Sequence, residues 1–165
     1  MVAILSLGSC LGDSAAIISR ASDLVAALPL TREIARSSLY ETEAVDVPRE
    51  YSGILFTNSA IAVDTGLDPA DFSNAIHEIE SRLGRVRTGT RHEPRIIDID
   101  IVAFGDITSD DPTLTLPHPE AAKRRFVLAP LAEMLPDFIL PGQSATAAAL
   151  LAKLPEHPGA KKIGL

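Results

Sequence analysis

Two aspartates interrupt the apolar run "PRIIDIDIVAFG": Asp98 and Asp100, spaced by Ile97, Ile99 and Ile101. In an extended strand, residues i and i+2 point to the same face, about 7 Å apart along the chain. The carboxylates therefore project side by side while the isoleucines face the other way. Fully apolar surroundings would force one of the pair to hold a proton. A divalent cation would instead keep both ionised, and hard carboxylate oxygens suit Mg²⁺, which takes one or two carboxylates together with phosphate oxygens. The same pair could also be strand-end carboxylates making ion pairs. Arginines for that purpose lie just upstream, in "RLGRVRTGTRHEPR": Arg82, Arg85, Arg87, Arg91 and Arg95 face a single acidic residue, Glu93. Such a cluster is either a solvated basic loop or an anion site. Metal-binding carboxylates beside phosphate-binding arginines would make a phosphoryl-transfer constellation.

The rest of the chain is acidic, with a net charge of −7 over 165 residues, and eight of its 15 lysines and arginines lie between Arg82 and Arg125. That balance argues against nucleic-acid binding through overall charge. One cysteine, Cys10, excludes an internal disulfide framework and fits a reducing cytoplasm. No apolar run reaches membrane-spanning length, and the first basic residue is Arg20, so neither a span nor a signal peptide is expected.

The elements that must hold the aspartates follow from periodicity. "VAILSLG" reads as a strand. "DSAAIISRASDLVAALP" has Ile17, Ala21, Leu24 and Leu28 at helical spacing behind an Asp13 cap. "REIARSSLYETE" and "ILFTNSAIAVDT" carry the β-branched and aromatic content of two strands. In "DPADFSNAIHEIESRLG", Asp68 caps a helix that buries Phe72, Ile76, Ile79 and Leu83 and stops at Gly84. After the aspartate strand come a short extended piece, a "PHP" turn, helical segments ending in "SATAAALLAKL", and a loose tail from about residue 155. Strand–helix–strand–strand–helix–strand is the split βαβ, ferredoxin-like pattern. The expected class is α+β, an antiparallel sheet with helices on both faces, as a single domain over residues 1–165. "GSCLGDS" lacks the Lys-Ser/Thr ending of a P-loop and reads as a tight strand-to-helix turn.

Taken together, "LSLGSCLGD", "LYETEAV", "FTNSAI", "IESRLGRVR", "PRIIDIDIVAFG" and "LTLPHPEAAKRRFVLAPL" occur in an order and at intervals that resemble the 6-hydroxymethyl-7,8-dihydropterin pyrophosphokinase family of the folate pathway. The resemblance runs from Ile4 to about Pro141. It implies the ferredoxin-like fold and transfer of a pyrophosphoryl group from ATP to the pterin hydroxymethyl oxygen, releasing AMP. It further implies that Asp98 and Asp100 hold Mg²⁺, with two ions expected when ATP is bound. Arg85 and Arg95 match arginines that neutralise phosphate charge, with Arg87 beside them. Phe56 and Phe126 match an aromatic pair that sandwiches the pterin, though by type alone they could be core phenylalanines. Asn58 matches the reader of the pterin's amide edge, and Thr42, Ala44 and Val45 its rim. His118 matches a histidine at the ATP phosphates, with Thr115 and Arg124 near it and His77 towards the adenine. The expected protein is a cytoplasmic monomer binding ATP and the pterin, with no nucleic-acid or membrane partner.

Four residues, at three places, depart from the family pattern. Cys10 stands where the family usually has Asn, and a thiol is not expected to reproduce an amide's two-way hydrogen bonding. Phe56 is often tyrosine. His92-Glu93 replaces a Trp-Gly pair, so the arginine loop is expected to close less completely. Two other readings share part of the pattern. A different Mg²⁺-dependent nucleotide enzyme would need Asp98, Asp100 and the arginines, but not Phe56, Asn58 and Phe126 together. A non-catalytic pterin- or nucleotide-binding relative would need only the binding residues.

Overall fold

The computed structural model describes residues 1–44, 51, 53–86 and 94–164. Strand β1 (Val2–Ser9) leads to helix α1 (Ser14–Ala26), then β2 (Thr31–Arg36), β3 (Leu39–Glu43), β4 (Leu55–Thr65), α2 (Pro69–Arg82) and β5 (Asp98–Phe104). A two-stranded ribbon, β6 (Ser109–Asp111) and β7 (Leu114–Leu116), precedes a 3-10 turn (Ala121–Lys123), α3 (Arg125–Met134), α4 (Ala147–Lys153) and β8 (Ala160–Gly164). The main sheet runs β5-β1-β4-β3-β8, with β2 also on β4, and every pairing is antiparallel. This is the expected ferredoxin-like α+β sandwich.

The helices start and stop where the sequence signals them. Asp13 accepts a hydrogen bond from the Ala16 amide at 3.1 Å, and Asp68 one from Asp71 at 2.9 Å, each satisfying an otherwise unpaired first-turn donor. Gly84 sits at φ +93°, a conformation a side chain would strain, and so turns the chain out of α2 directly into Arg85. The buried line of α1 is Ile18, Ala21, Ser22 and Val25, with Ile17, Leu24 and Leu28 packing at its edge. The helix is apolar around much of its circumference, so spacing alone could not choose between adjacent stripes.

Two apolar layers result. Leu5, Leu7, Ile61, Val63, Ile97, Ile99 and Ile101 meet α1 and α2; Ile4, Ala62, Val102 and Ala103 meet α3 and α4. In β5, Ala103 pairs with Ile4 but Ile101 with Leu5, so Val102 is an extra residue. That bulge lets Val102 and Ala103 both face α3 and α4 while Phe104 returns to the other layer.

Two expectations need correction. The single strand "REIARSSLYETE" is broken at Ser37–Ser38. Arg36 pairs with Ile61 and Tyr40 with Asn58, which is one more residue on this side than on β4. The Ser37 hydroxyl enters the gap, accepting from the Ala60 amide at 2.9 Å, while the Ser38 amide turns to Glu133 at 3.0 Å. The tail beyond residue 155 is not wholly loose either. Ala160–Gly164 add a strand to β3, and Lys162 binds Glu133 at 2.7 Å. Its Pro, Gly and Lys content gave no strand signal; the open edge of β3 and that ion pair supply the order.

Candidate active site

Strand alternation divides the face under α3. At one end of the central strands this face is Ile4, Ala62 and Val102, covered by α3 and α4. One rung along it becomes Ser6, Ala60 and Asp100, and the next rung is Gly8, Asn58 and Asp98. Beyond these, Phe56 pairs with Thr42. The apolar cover thus gives way to a polar floor carrying both aspartates at one end and Asn58, Thr42 and Phe56 at the other. Gly8 lies between Asp98 and Asn58. A Cβ there would come within 3.1 Å of Asn58 Oδ1. The missing side chain keeps the gap between carboxylate and amide open.

Asn58 and Thr42 are each 4% exposed, and Asn58 Nδ2 donates to Thr42 Oγ1 at 2.7 Å. That bond fixes the amide's orientation, with its oxygen towards Gly8.

At the other end, Arg85 Nη1 donates to Asp98 Oδ1 at 2.5 Å and Arg95 Nη1 to Asp98 Oδ2 at 2.7 Å. Asp98 is ion-paired in this state, whereas no described side chain donates a hydrogen bond to the Asp100 carboxylate. Burial first, and then the neighbouring Asp98 charge, push Asp100 up to about 6, although His118 and Arg124 pull the other way. A carboxylate so placed is short of a cation. Among the described residues no three His, Cys, Asp or Glu side chains gather as a ready-made metal cage. Paired carboxylates suit Mg²⁺, which retains water and phosphate ligands, better than a metal held wholly by protein.

Glu80 is a site residue that the sequence reading missed. It is 2% exposed, accepts from the Ile99 amide at 2.8 Å, and takes a hydrogen bond from Arg85. The last turn of α2 thereby positions both the start of β5 and the first arginine. Burial disfavours the Arg85 cation, but Asp98 and Glu80 outweigh it and hold its pKa above the usual value. The available signal was a charge one helical turn beyond Ile76, on the buried stripe of α2.

Cys10 corrects another expectation. Its thiol accepts from the Arg95 amide at 3.2 Å and donates to the Arg95 carbonyl at 3.5 Å, while the Cys10 amide donates to the same carbonyl at 3.1 Å. Sulfur thus supplies the two-way pairing that seemed to require an amide, and ties the end of β1 to Arg95. Burial pushes the thiol pKa up, so it stays protonated and able to donate.

His118 follows β7 and donates its amide to the Val102 carbonyl at 2.9 Å. Its Nδ1 accepts from the Glu120 amide at 3.2 Å, which assigns the ring proton to Nε2. His77, Thr115, His118 and Asp100 line one cavity of about 320 Å³ between α2, β5 and the β6–β7 ribbon. Arg124 lies 5.6 Å from the centroid of Phe126, within cation–π range. Both flank a smaller hollow of about 190 Å³, bounded also by Thr42, Arg125 and the 154–159 segment. Phe56 and Phe126 are half-buried, and Ala44 ends the described part of the β3 rim. Val45, Arg87, Arg91, His92 and Glu93 lie outside the described residues.

Comparison with known proteins agrees with this arrangement. The family model described as 7,8-dihydro-6-hydroxymethylpterin-pyrophosphokinase matches residues 4–136. The 2-amino-4-hydroxy-6-hydroxymethyldihydropteridine pyrophosphokinase of Methylorubrum extorquens is 42% identical over 153 residues, covering 92% of each chain. The protein of the same name from Pseudomonas aeruginosa is 41% identical over 139 residues, covering 82% of each. Crystalline wild-type HPPK-DHPS of Plasmodium falciparum has a TM-score of 0.69 and 19% identity over 92% of this chain, which spans 44% of that longer one; this likeness is one of fold. A match of such extent, in a chain whose sheet carries paired carboxylates and an oriented amide on one floor, places the protein in the 7,8-dihydro-6-hydroxymethylpterin-pyrophosphokinase family.

Proposed function

We infer that this chain transfers the pyrophosphoryl group of ATP to 6-hydroxymethyl-7,8-dihydropterin, a step of folate biosynthesis, giving AMP and the pterin diphosphate. The observation that carries this reading is the rung Asp98–Gly8–Asn58, which joins a phosphate end to a heterocycle end with only a glycine between them. The hydroxymethyl oxygen attacks the β-phosphorus, the bond between that phosphorus and the α–β bridging oxygen breaks, and the hydroxyl proton passes to solvent.

On this reading Asn58 offers one donor and one acceptor to the pterin amide edge, while Phe56 and Phe126 enclose the ring, with Thr42, Ala44 and Val45 as its rim. Arg85 and Arg95 neutralise charge that grows on the leaving oxygens, a role that Arg87 shares. The protonated Nε2 of His118 donates to a phosphate oxygen, with Arg124 and Thr115 near it and His77 on the adenine side. Asp98 and Asp100 would hold Mg²⁺, which when bound supplies the positive charge that shields the triphosphate and keeps both carboxylates ionised. A loose phosphoryl transition state needs little general-base help, so positioning carries most of the acceleration. Two Mg²⁺ ions with ATP, a cytoplasmic monomer working as one domain, and no nucleic-acid partner complete the proposal. Among the described residues no helix is long and apolar enough to cross a membrane.

Incubation with ATP, Mg²⁺ and the pterin, followed by nucleotide chromatography, tests the assignment. AMP should accumulate only when the pterin is present; ADP in its place would refute the reaction. A second expectation concerns the glycine. Gly8→Ala should press its methyl against Asn58 Oδ1 and weaken pterin binding about tenfold in a fluorescence titration, with ATP binding little changed.

A further inference from the structure

Glu133 lies in the last turn of α3, yet its carboxylate collects four hydrogen bonds, from Ser38 just before β3, from Tyr40 in β3 and from Lys162 in β8. The Ser38 amide donates at 3.0 Å, the Ser38 hydroxyl at 2.7 Å, the Tyr40 hydroxyl at 3.0 Å and Lys162 Nζ at 2.7 Å. The Ser38 amide is available because the bulge at Ser37–Ser38 removes it from the ladder with β4. The donors surround a carboxylate that stays ionised: burial pushes its pKa up, but the bonds from Lys162, Ser38 and Tyr40 outweigh that and bring it to about 2.

Each donor leads to the heterocycle end of the floor. Tyr40 is 9% exposed and pairs with Asn58 on one side and Lys162 on the other. Thr42, two residues on, pairs with Phe56 and Ala160, and its hydroxyl holds the Asn58 amide. On the helix side, Phe126 sits in the first turn of α3 and Glu133 in the last. Seven residues of α-helix, Pro130 among them, span about 10 Å and join the two positions in one element, so fixing one end constrains the other. The first turn is tied as well: Arg125 donates to the carbonyls of Leu154 and Pro155, both at 2.8 Å, in the segment leading to β8. β3, β8 and α3 therefore close a frame around the hollow that Thr42 and Phe126 line.

We propose that Glu133 is a positioning residue for the pterin slot, setting the separation of the Phe56 and Phe126 walls by joining α3 to Ser38, Tyr40 and the C-terminal strand through Lys162. This rests on the reading of Thr42, Asn58, Phe56 and Phe126 as the slot. Glu133 touches neither substrate, and the frame lies apart from the carboxylates that serve ATP. Its loss should loosen recognition of the heterocycle while leaving the phosphate chemistry in place.

The test compares Glu133→Gln and Tyr40→Phe with the wild-type chain in steady-state kinetics, varying the pterin and ATP separately, with thermal unfolding measured in parallel. Glu133→Gln should raise the pterin KM about five- to tenfold, and Tyr40→Phe about two- to fivefold, with kcat and the ATP KM within about twofold of wild type. Tyr40→Phe keeps the buried ring, so it reports even if Glu133→Gln folds poorly. A lowered Tm with both KM values unchanged in the two variants would show a merely structural carboxylate and overturn the inference. Asn58→Ala is measured beside them. Weaker pterin binding in Asn58→Ala with no effect in the two frame variants removes the frame alone, whereas a wild-type chain that binds no pterin removes the slot reading and the frame with it.

Discussion

Asp98→Asn and Asp100→Asn are each expected to lower turnover about a thousandfold, the equivalent of roughly 4 kcal/mol of transition-state stabilisation, while moving the stability of the metal-free protein in opposite directions. Either change keeps the side chain's shape and removes one unit of charge from the cation site. From the sequence alone, both variants should leave metal-free stability unchanged or raised, since repulsion falls. The structure separates them. Asp98 accepts from Arg85 and Arg95, so its loss takes that partner from Arg95, leaves Arg85 held by Glu80, and weakens the fold. Among the described residues Asp100 takes no such bond, and burial with the Asp98 charge raises it to about 6. Because the folded value lies above the unfolded one, near 3.9, the folded state binds the proton more tightly, and ionising Asp100 weakens the fold progressively as pH rises from about 4 to about 6. At pH 7.5 the wild-type chain carries that penalty and Asp100→Asn does not. Thermal unfolding in chelator should show Asp100→Asn melting about 2–4 °C higher at pH 7.5, an effect on the order of 1 kcal/mol, and level with wild type near pH 3.5. Asp98→Asn should melt lower at pH 7.5. Stability that is equal in the two variants would contradict the unequal pairing seen here.

The second large effect concerns the arginines. Arg95→Ala and Arg85→Ala should each reduce turnover about 10²–10³-fold, the usual loss when one preorganised donor to developing charge is removed, with pterin affinity nearly unchanged. Only Arg85→Ala should also destabilise the fold. Glu80 is 2% exposed and Arg85 is a charge partner to it, so truncation removes that cation from a buried carboxylate. Removing one member of such a pair costs roughly 3 kcal/mol. Arg95 is instead fixed through its backbone by Cys10, and those bonds survive loss of the guanidinium. Steady-state kinetics, pterin titration and urea unfolding on both variants check the split. A silent Arg95→Ala would remove that residue from the phosphate site.

Much of the site was legible because the chemistry broke a strong local pattern. Charges at Asp98 and Asp100 inside alternating isoleucines announce both the strand and its functional face. The caps Asp13 and Asp68 and the stop at Gly84 mark helix ends through purely local hydrogen bonding. Residues whose roles depend on distant partners left weaker traces. Glu80 looks like any polar residue of an amphipathic helix until β5 is laid beside it. Glu133 has no local oddity at all, since its partners are 29 to 95 residues away in sequence. The break at Ser37–Ser38 and the strand Ala160–Gly164 likewise arise from tertiary pairing, which propensity does not encode. Cys10 shows a different limit. Its type excluded an amide, but only the distances to Arg95 reveal that a thiol makes a comparable pair of hydrogen bonds.

The most direct measurement is a single-turnover reaction with ATP labelled separately at the β- and γ-phosphates, followed by isolation of the pterin product. The expected result is both labels on one pterin molecule in equal amounts, with AMP formed in the same quantity and dependent on Mg²⁺. A pterin carrying the γ-label alone, accompanied by ADP, would contradict attack at the β-phosphorus and with it the chemistry assigned to Asp98, Asp100 and the two arginines.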